Sequence, residues 1–337
     1  MTELIPITIS ELKDGMKFSN LTALVVERKI AVTKNGKPYV DLILRDQTGT
    51  VKAKVWDYNC STDEHLETAE VLTTSGGVST YNGELQVTVS SSSPSTRPAT
   101  EFAKNSRFST DEMWKEIMHL AGALQEPLTK AVALDLLTKH EKEFKKAPAA
   151  KAVHNAWYGG LLEHTLSMCE LAGSICSHYN TKYGSGKFSQ DKVMFGVLLH
   201  DLCKIFEYDF STPSFGYTPE GILANHLVMG PAIILESCNK WWEEGYLQEM
   251  SYTTFPTYEE FRRERAHLMH LVAAHHGKQE WGSPVTPSSI EAILVHQLDM
   301  IDSKFMHALE LVEGKVGQIP GFSEYSRTEK TSYLKYT

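Results

Sequence analysis

The chain has 337 residues, enough for two domains with separate cores, and its 42% hydrophobic and 22% charged content is ordinary for a globular protein. A formal net charge of -9 excludes a uniformly basic nucleic-acid binder, yet Lys13 to Lys54 carries nine Lys/Arg against four acids, so a basic front precedes an acidic body. The opening MTELIPITIS lacks a basic start and an apolar core, no run of about 18 apolar residues follows, and the five cysteines form no CxxC pair, so the expectation is a reduced, cytoplasmic protein without a membrane span.

From Met16 to Val89 the pattern predicts short strands. Val40, Leu42 and Leu44 alternate, as do Val51, Ala53 and Val55, with turns at Asn35-Gly36, Gln47-Thr48-Gly49 and Asn82-Gly83. The segment YVDLILRDQTGTVKAKVWD resembles the strand-turn-strand heart of the OB fold. That resemblance implies a five-stranded barrel over residues 1–90 that binds single-stranded nucleic acid through a basic groove and aromatic platforms. Phe18, Tyr39, Lys52, Lys54 and Trp56 are the candidate contacts, with Tyr58 and Tyr81 as further aromatics, although aromatics of a small barrel commonly serve its core.

Ser90 to Pro98 reads as a polar Ser/Pro linker, giving a boundary region over 91–109. Thereafter the period is helical. Ser109 or Thr110 caps a helix bearing Met113, Trp114, Ile117, Met118, Ala121 and Leu124, and further helices are predicted at 127–144, 160–180, 190–205, 224–243, 259–275 and 287–313. The expected fold is α+β and multidomain, with a helical body over 110–315 and a tail over 316–337.

This body holds His164, the adjacent pair His200-Asp201, His226, the adjacent pair His275-His276, and Asp299. Imidazoles and carboxylates without thiolate suit Mn, Fe, Zn or Co. Six or seven donors exceed the needs of one tetrahedral ion and suffice for two. Neighbours on a helix diverge by about 100°, so His200 and Asp201 serve two ions only if one of them bridges, and a carboxylate can bridge where a neutral imidazole cannot. The hypothesis is that Asp201 bridges, with His164, His200 and Asp299 on one ion and His226, His275 and His276 on the other.

The order His…His-Asp…His…His-His…Asp is similar to the HD-domain metal-dependent phosphohydrolases. HNAWYGGLLEHT, LLHDLCK and HHGKQEWGSP behind an OB barrel resemble the YhaM-type 3′-5′ exoribonucleases. The resemblance implies manganese-favoured removal of nucleotides from a 3′ end of single-stranded RNA, extending to single-stranded DNA, by a homo-oligomer. Fe, Co, Zn or Mg are the substitute ions. It also favours Asp299 over Asp302, one turn later, as the ligand. Gly160 stands where cyclic-dinucleotide relatives carry a carboxylate one turn before the first histidine, which argues against a third metal.

Two ions would activate water for attack at phosphorus, and Lys204, four residues after His200, would neutralise a phosphate oxygen as charge grows there. Asp201 and Lys204 are thus the catalytic candidates. Glu163 is a candidate to orient His164, Trp281 to stack on a base, Lys278 and Arg262-Arg263-Arg265 to touch a backbone, and His154 to stand near the site mouth. Two other functions compete: an HD nucleotidase or small-molecule phosphohydrolase, which would turn over mononucleotides, and a non-catalytic nucleic-acid-binding protein with a structural metal, which would leave a strand intact.

Overall fold

Strict alternation along YVDLILRD builds a strand with one buried face: Val40, Leu42 and Leu44 point inward from β2 (Pro38–Asp46), and Val51 and Ala53 from β3 (Gly49–Trp56). The structure, a computed structural model, describes residues 7–81, 84–151, 155–247, 254–314, 316–317 and 319–336; the Asn82-Gly83 turn and His154 lie outside them. With β1 (Lys17–Val32), β4 (Val71–Tyr81) and β5 (Glu84–Pro94), the strands close a barrel in the order β1-β2-β3-β5-β4, antiparallel throughout except for β3 beside β5. This is the five-stranded OB architecture. Asp46 organises the β2–β3 turn, accepting from Thr48 N (2.7 Å) and Gly49 N (3.0 Å) through one oxygen and from Ile9 N (2.7 Å) through the other.

Two expectations for this unit need correction. Phe18 is a core residue, 8% exposed, not a stacking platform. The strand bulges between Phe18 and Leu21, with Asn20 at φ 59°, so both side chains turn inward despite their odd spacing. The serine run is also strand rather than linker: Ser91, Ser92, Ser93 and Pro94 pair with Ser75, Thr74, Thr73 and Leu72 of β4. Ladder bonds come from the backbone, so polar side chains do not prevent them. The first compact unit accordingly runs to Lys104 and includes Phe210–Phe215; the second comprises Asn105–Asp209 and the chain from Gly216.

Among the described residues the second unit is mainly helical, with the two-residue strands Tyr208–Asp209 and Gly216–Tyr217 and isolated bridges such as Phe322 with Leu334 beyond the last helix. Numbering the one-turn helix His65–Thr68 of the barrel unit as α1, the main helices are α2 (Thr110–Ala123), α3 (Pro127–Lys139), α4 (Glu141–Lys146), α5 (Gly160–Tyr183), α6 (Gln190–Leu199), α7 (Lys204–Glu207), α8 (Pro219–Leu223), α9 (His226–Leu247), α10 (Tyr258–Ala273) and α11 (Ile290–Glu313). Ser109, Ser189, Thr257 and Ser289 cap α2, α6, α10 and α11 by accepting from backbone N–H groups of the first turn.

Helix α6 is buried on every side from Val193 to Leu199, the mark of a central helix. Its neighbours come close at Gly196, where a Cβ would lie 2.6 Å from Val295 of α11 and 3.3 Å from Leu271 of α10. The close approach matters because each of these three helices leads to or carries donor residues. No described helix is long and apolar enough to cross a membrane.

Candidate metal centre

Each donor stands at a helix end or on a buried helical face. His164 lies in the first turns of α5, His226 opens α9, and Asp299 and Asp302 lie on α11. His200 and Asp201 follow α6 directly, and His275 and His276 follow α10. The sequence pattern predicts one helix over 190–205, but the helix breaks after Leu199. There His200 Nδ1 takes the Val197 carbonyl (2.8 Å), which a continuing helix would offer to Asp201 N.

All six histidine and aspartate positions of the two predicted groups, and Asp201, meet in one place. His164, His200 and Asp201 form one set of mutually close donor atoms, and His226, His275 and His276 form another. Asp201 joins them. Its Oδ2 lies 3.3 Å from His200 Nε2 and 3.9 Å from His164 Nε2, while its Oδ1 lies 3.4 Å from His226 Nε2 and 3.5 Å from His275 Nε2. Asp299 Oδ1 reaches His164 Nε2 at 3.4 Å.

The outer nitrogens reveal what the inner ones can do. His200 Nδ1 and His275 Nδ1 face the carbonyls of Val197 (2.8 Å) and Val272 (2.6 Å), and His276 Nδ1 faces that of Trp281 (3.0 Å). His164 Nδ1 faces Asp302 Oδ2 (2.7 Å), and His226 Nδ1 faces Glu207 Oε2. A carbonyl or carboxylate oxygen only accepts, so each Nδ1 carries the proton and a neutral ring keeps its lone pair on Nε2. His164 Nε2 and His200 Nε2 lie 3.3 Å apart. Among the described residues, the buried atoms Asp201 Oδ1, His226 Nε2 and His275 Nε2 have no hydrogen-bond partner. Buried acceptors aimed at one another without donors fit divalent cations.

The electrostatics agree. Burial pushes the pKa values of His226, His275 and His276 down and keeps these rings in the neutral, ligating form. Burial acts on His164 in the same sense, but Asp299 and Asp302 outweigh it and push its pKa up to about 10, the signature of a field that favours a cation. Burial would raise Asp201, yet Lys204 and His200 hold it well below the usual carboxylate range. Lys204 Nζ lies 2.6 Å from Asp201 Oδ2.

Other candidates fall elsewhere. Glu163 does not orient His164: its Oε2 accepts from Trp157 Nε1 at 2.9 Å, and Asp302 takes the orienting place instead. Asp302 therefore backs a histidine rather than facing the donors. Trp281 is 44% exposed with Lys278 Nζ 4.5 Å from its ring centre, and its carbonyl anchors His276. Arg262 and Arg263 pair with Glu259, and Arg265 with Asn239, within the helical surface. Gly160 is glycine because a Cβ would strike the Asn155 carbonyl. Sequence reasoning missed Glu207; its signal was an acid one turn after Lys204 in the mostly apolar run LCKIFEY.

The HD domain family matches residues 161–304, a span that holds every donor of the centre. The 3′-5′ exoribonuclease YhaM of Halalkalibacterium halodurans is 32% identical over 290 residues, covering 84% of this chain and 83% of that protein. The chain belongs to the YhaM family. A second member, from a Geobacillus species, is 31% identical over 81% of this chain and 78% of its own. Among solved structures, the second OB-fold domain of replication protein A from Methanococcus maripaludis is 22% identical over 28% of this chain and 97% of that domain, with a TM-score of 0.23. As a YhaM family member the chain pairs its own OB barrel with an HD domain.

On the barrel, the Tyr39 and Trp56 rings sit 5.1 Å apart at 33° as cross-strand partners, and Lys54 Nζ lies 4.8 Å and 5.4 Å from their centres. Lys54 also pairs with Asp41, and Lys52 with Glu84. Tyr58 is buried and donates its hydroxyl to Glu67, so it offers no platform, whereas Tyr81 is 66% exposed.

Proposed function

We propose that the chain is a metal-dependent 3′-5′ exoribonuclease whose helical domain hydrolyses phosphodiester bonds at the 3′ end of single-stranded RNA, with the barrel gathering the strand. The observation that carries this reading is the division of Asp201: one oxygen faces each histidine group, and on the side of His226 and His275 the buried atoms Asp201 Oδ1, His226 Nε2 and His275 Nε2 have no hydrogen-bond partner among the described residues. The names of the family members supply the direction and the substrate.

In this reading His164, His200 and Asp299 would hold one divalent ion and His226, His275 and His276 a second, with Asp201 between the two sets. Manganese is the first choice from the family likeness, and Fe, Co, Zn or Mg are substitutes that a mixed imidazole and carboxylate set would also accept. Such a pair supplies Lewis acidity and lowers the pKa of water near the phosphate. The chain's own residues do the rest. The Nδ1 bonds fix every imidazole before substrate arrives, so no reorganisation is required during reaction. Lys204, charged beside Asp201, neutralises a non-bridging phosphate oxygen as its charge grows. Tyr39 and Trp56 stack bases, and Lys52 and Lys54 attend the backbone after exchanging their carboxylate partners for phosphate.

The test is incubation with manganese and 5′-labelled single-stranded RNA or DNA, beside an Asp201→Ala control, with products resolved by length. Stepwise shortening of RNA from the 3′ end, absent in the control, is expected. Shortening of DNA at a comparable rate would widen the substrate class. Intact strands with rapid turnover of mononucleotides would replace the reading with a nucleotidase, and intact strands without turnover would leave a binding protein.

A further inference from the structure

Two buried carboxylates at the centre do not face the converging nitrogens. Asp302, 3% exposed, accepts from His164 Nδ1 at 2.7 Å through one oxygen and from the Ser167 hydroxyl through the other. Glu207, 6% exposed, accepts through one oxygen from both the backbone N–H (2.7 Å) and the Nδ1 of His226. Among the described residues, neither has a lysine or arginine within ion-pair distance. Each is placed against one histidine, and the two histidines belong to different donor groups.

We infer that Asp302 and Glu207 are positioning residues of the metal centre, one for each half. Resting on the metal reading above, the inference assigns Asp302 to the ion held by His164 and Glu207 to the ion held by His226. Each fixes the ring so that the Nε2 lone pair points inward, and each adds negative charge that makes its imidazole a stronger donor. The other three rings lean on neutral backbone carbonyls, so each half contains one charge-backed imidazole.

The surroundings hold these carboxylates in place. Ser167 lies one turn after His164 on α5, so a single helical face presents both the ring and the hydroxyl that steadies its partner. Glu207 is gripped through its backbone: a Cβ at Gly221 would collide with the Glu207 carbonyl, so α8 packs directly on it. A purely structural role would need neither oxygen to select the metal-facing histidine of its half.

The experiment titrates full-length protein with manganese, following free Mn(II) by electron paramagnetic resonance, for wild type, Asp302→Ala, Asp302→Asn, Glu207→Ala and Glu207→Gln. Melting in EDTA reports on folding. Wild type is expected to take up two ions. Each alanine variant weakens one binding step by about 10–100-fold and spares the other. The amide variants, whose oxygen still accepts from Nδ1–H, recover part of the loss, and activity returns at excess manganese in all folded variants. Should an alanine variant fail to fold, its amide counterpart carries the test with a loss of about 10-fold. Unchanged binding in the variants, or equal weakening of both steps in each, overturns the inference. No manganese uptake by wild type overturns the metal reading instead.

Discussion

Lys204 holds its ammonium 2.6 Å from Asp201 Oδ2, in a position where its side chain is only 12% exposed. Burial alone would favour the neutral amine, but Asp201 outweighs it and keeps the charge. In the proposed reading this cation would meet phosphate charge as it develops. Lys204→Met is expected to slow RNA hydrolysis by about 10²–10³-fold while manganese binds at least as tightly, since one competitor for Asp201 is gone. Single-turnover rates beside metal titrations check this. A parallel collapse of metal binding would reassign Lys204 to holding the centre together.

The barrel offers a paired comparison of two aromatics. Trp56 is 46% exposed beside Tyr39, and Phe18 is 8% exposed in the core. Trp56→Ala is expected to weaken single-stranded RNA binding by about 1–3 kcal/mol without changing the melting temperature. Phe18→Ala is expected to cost about 3–5 kcal/mol of stability. Fluorescence anisotropy and urea unfolding separate the two outcomes, and a destabilised Trp56→Ala with normal RNA affinity would remove the platform from the barrel.

Away from the centre, Glu291 accepts from Ser189 N at 2.8 Å and lies 3.5 Å from His267 Nε2. Burial would raise its pKa, but these partners outweigh it and hold it at about 2. A carboxyl depressed on folding contributes stability that is complete above its unfolded value of about 4.3 and disappears as pH falls through the folded value. The group's contribution is therefore lost between about pH 4.5 and pH 2. Glu291→Gln is expected to cost about 1 kcal/mol at neutral pH after solvent screening and to flatten the acid limb. Urea unfolding from pH 2.5 to 7 measures both, and identical slopes would show that Glu291 is not the group responsible.

Gly196 sets the spacing between α6, which leads to His200 and Asp201, and α11, which carries Asp299. Gly196→Ala is expected to cost about 1–3 kcal/mol through overpacking and to lower the rate beyond what that loss explains, because the donors are pushed apart. Thermal melting and kcat at saturating manganese test the coupling. A variant that is destabilised yet fully active would show that the helices yield elsewhere.

Much of this was legible in the residues. The alternation of YVDLILRD and the helical spacing from Thr110 onward reflect burial on one face, and the donor types and their order announced the centre. What escaped depends on three-dimensional direction. Asp299 and Asp302 differ by three residues, about 60° around a helix, and only the packed rings show that one faces the donors and the other stands behind His164. Phe18 broke its parity at a bulge set by Asn20, a backbone event without a hydrophobic signature. The serine strand hid because its ladder is made by backbone groups that serine shares with every residue but proline.

His200 and His275 each turn a ring nitrogen back to the carbonyl three residues earlier, Val197 and Val272, at the end of a helix. Those carbonyls are among the acceptors a helix terminus leaves unmet. The same imidazoles thus finish two helices with one nitrogen and face the centre with the other. Chelation should therefore be felt along the backbone: amide hydrogen exchange in the last turns of α6 and α10 should accelerate when manganese is withdrawn, while the buried middle of α5 stays protected. Secondary structure and metal capture would then be two ends of the same side chain.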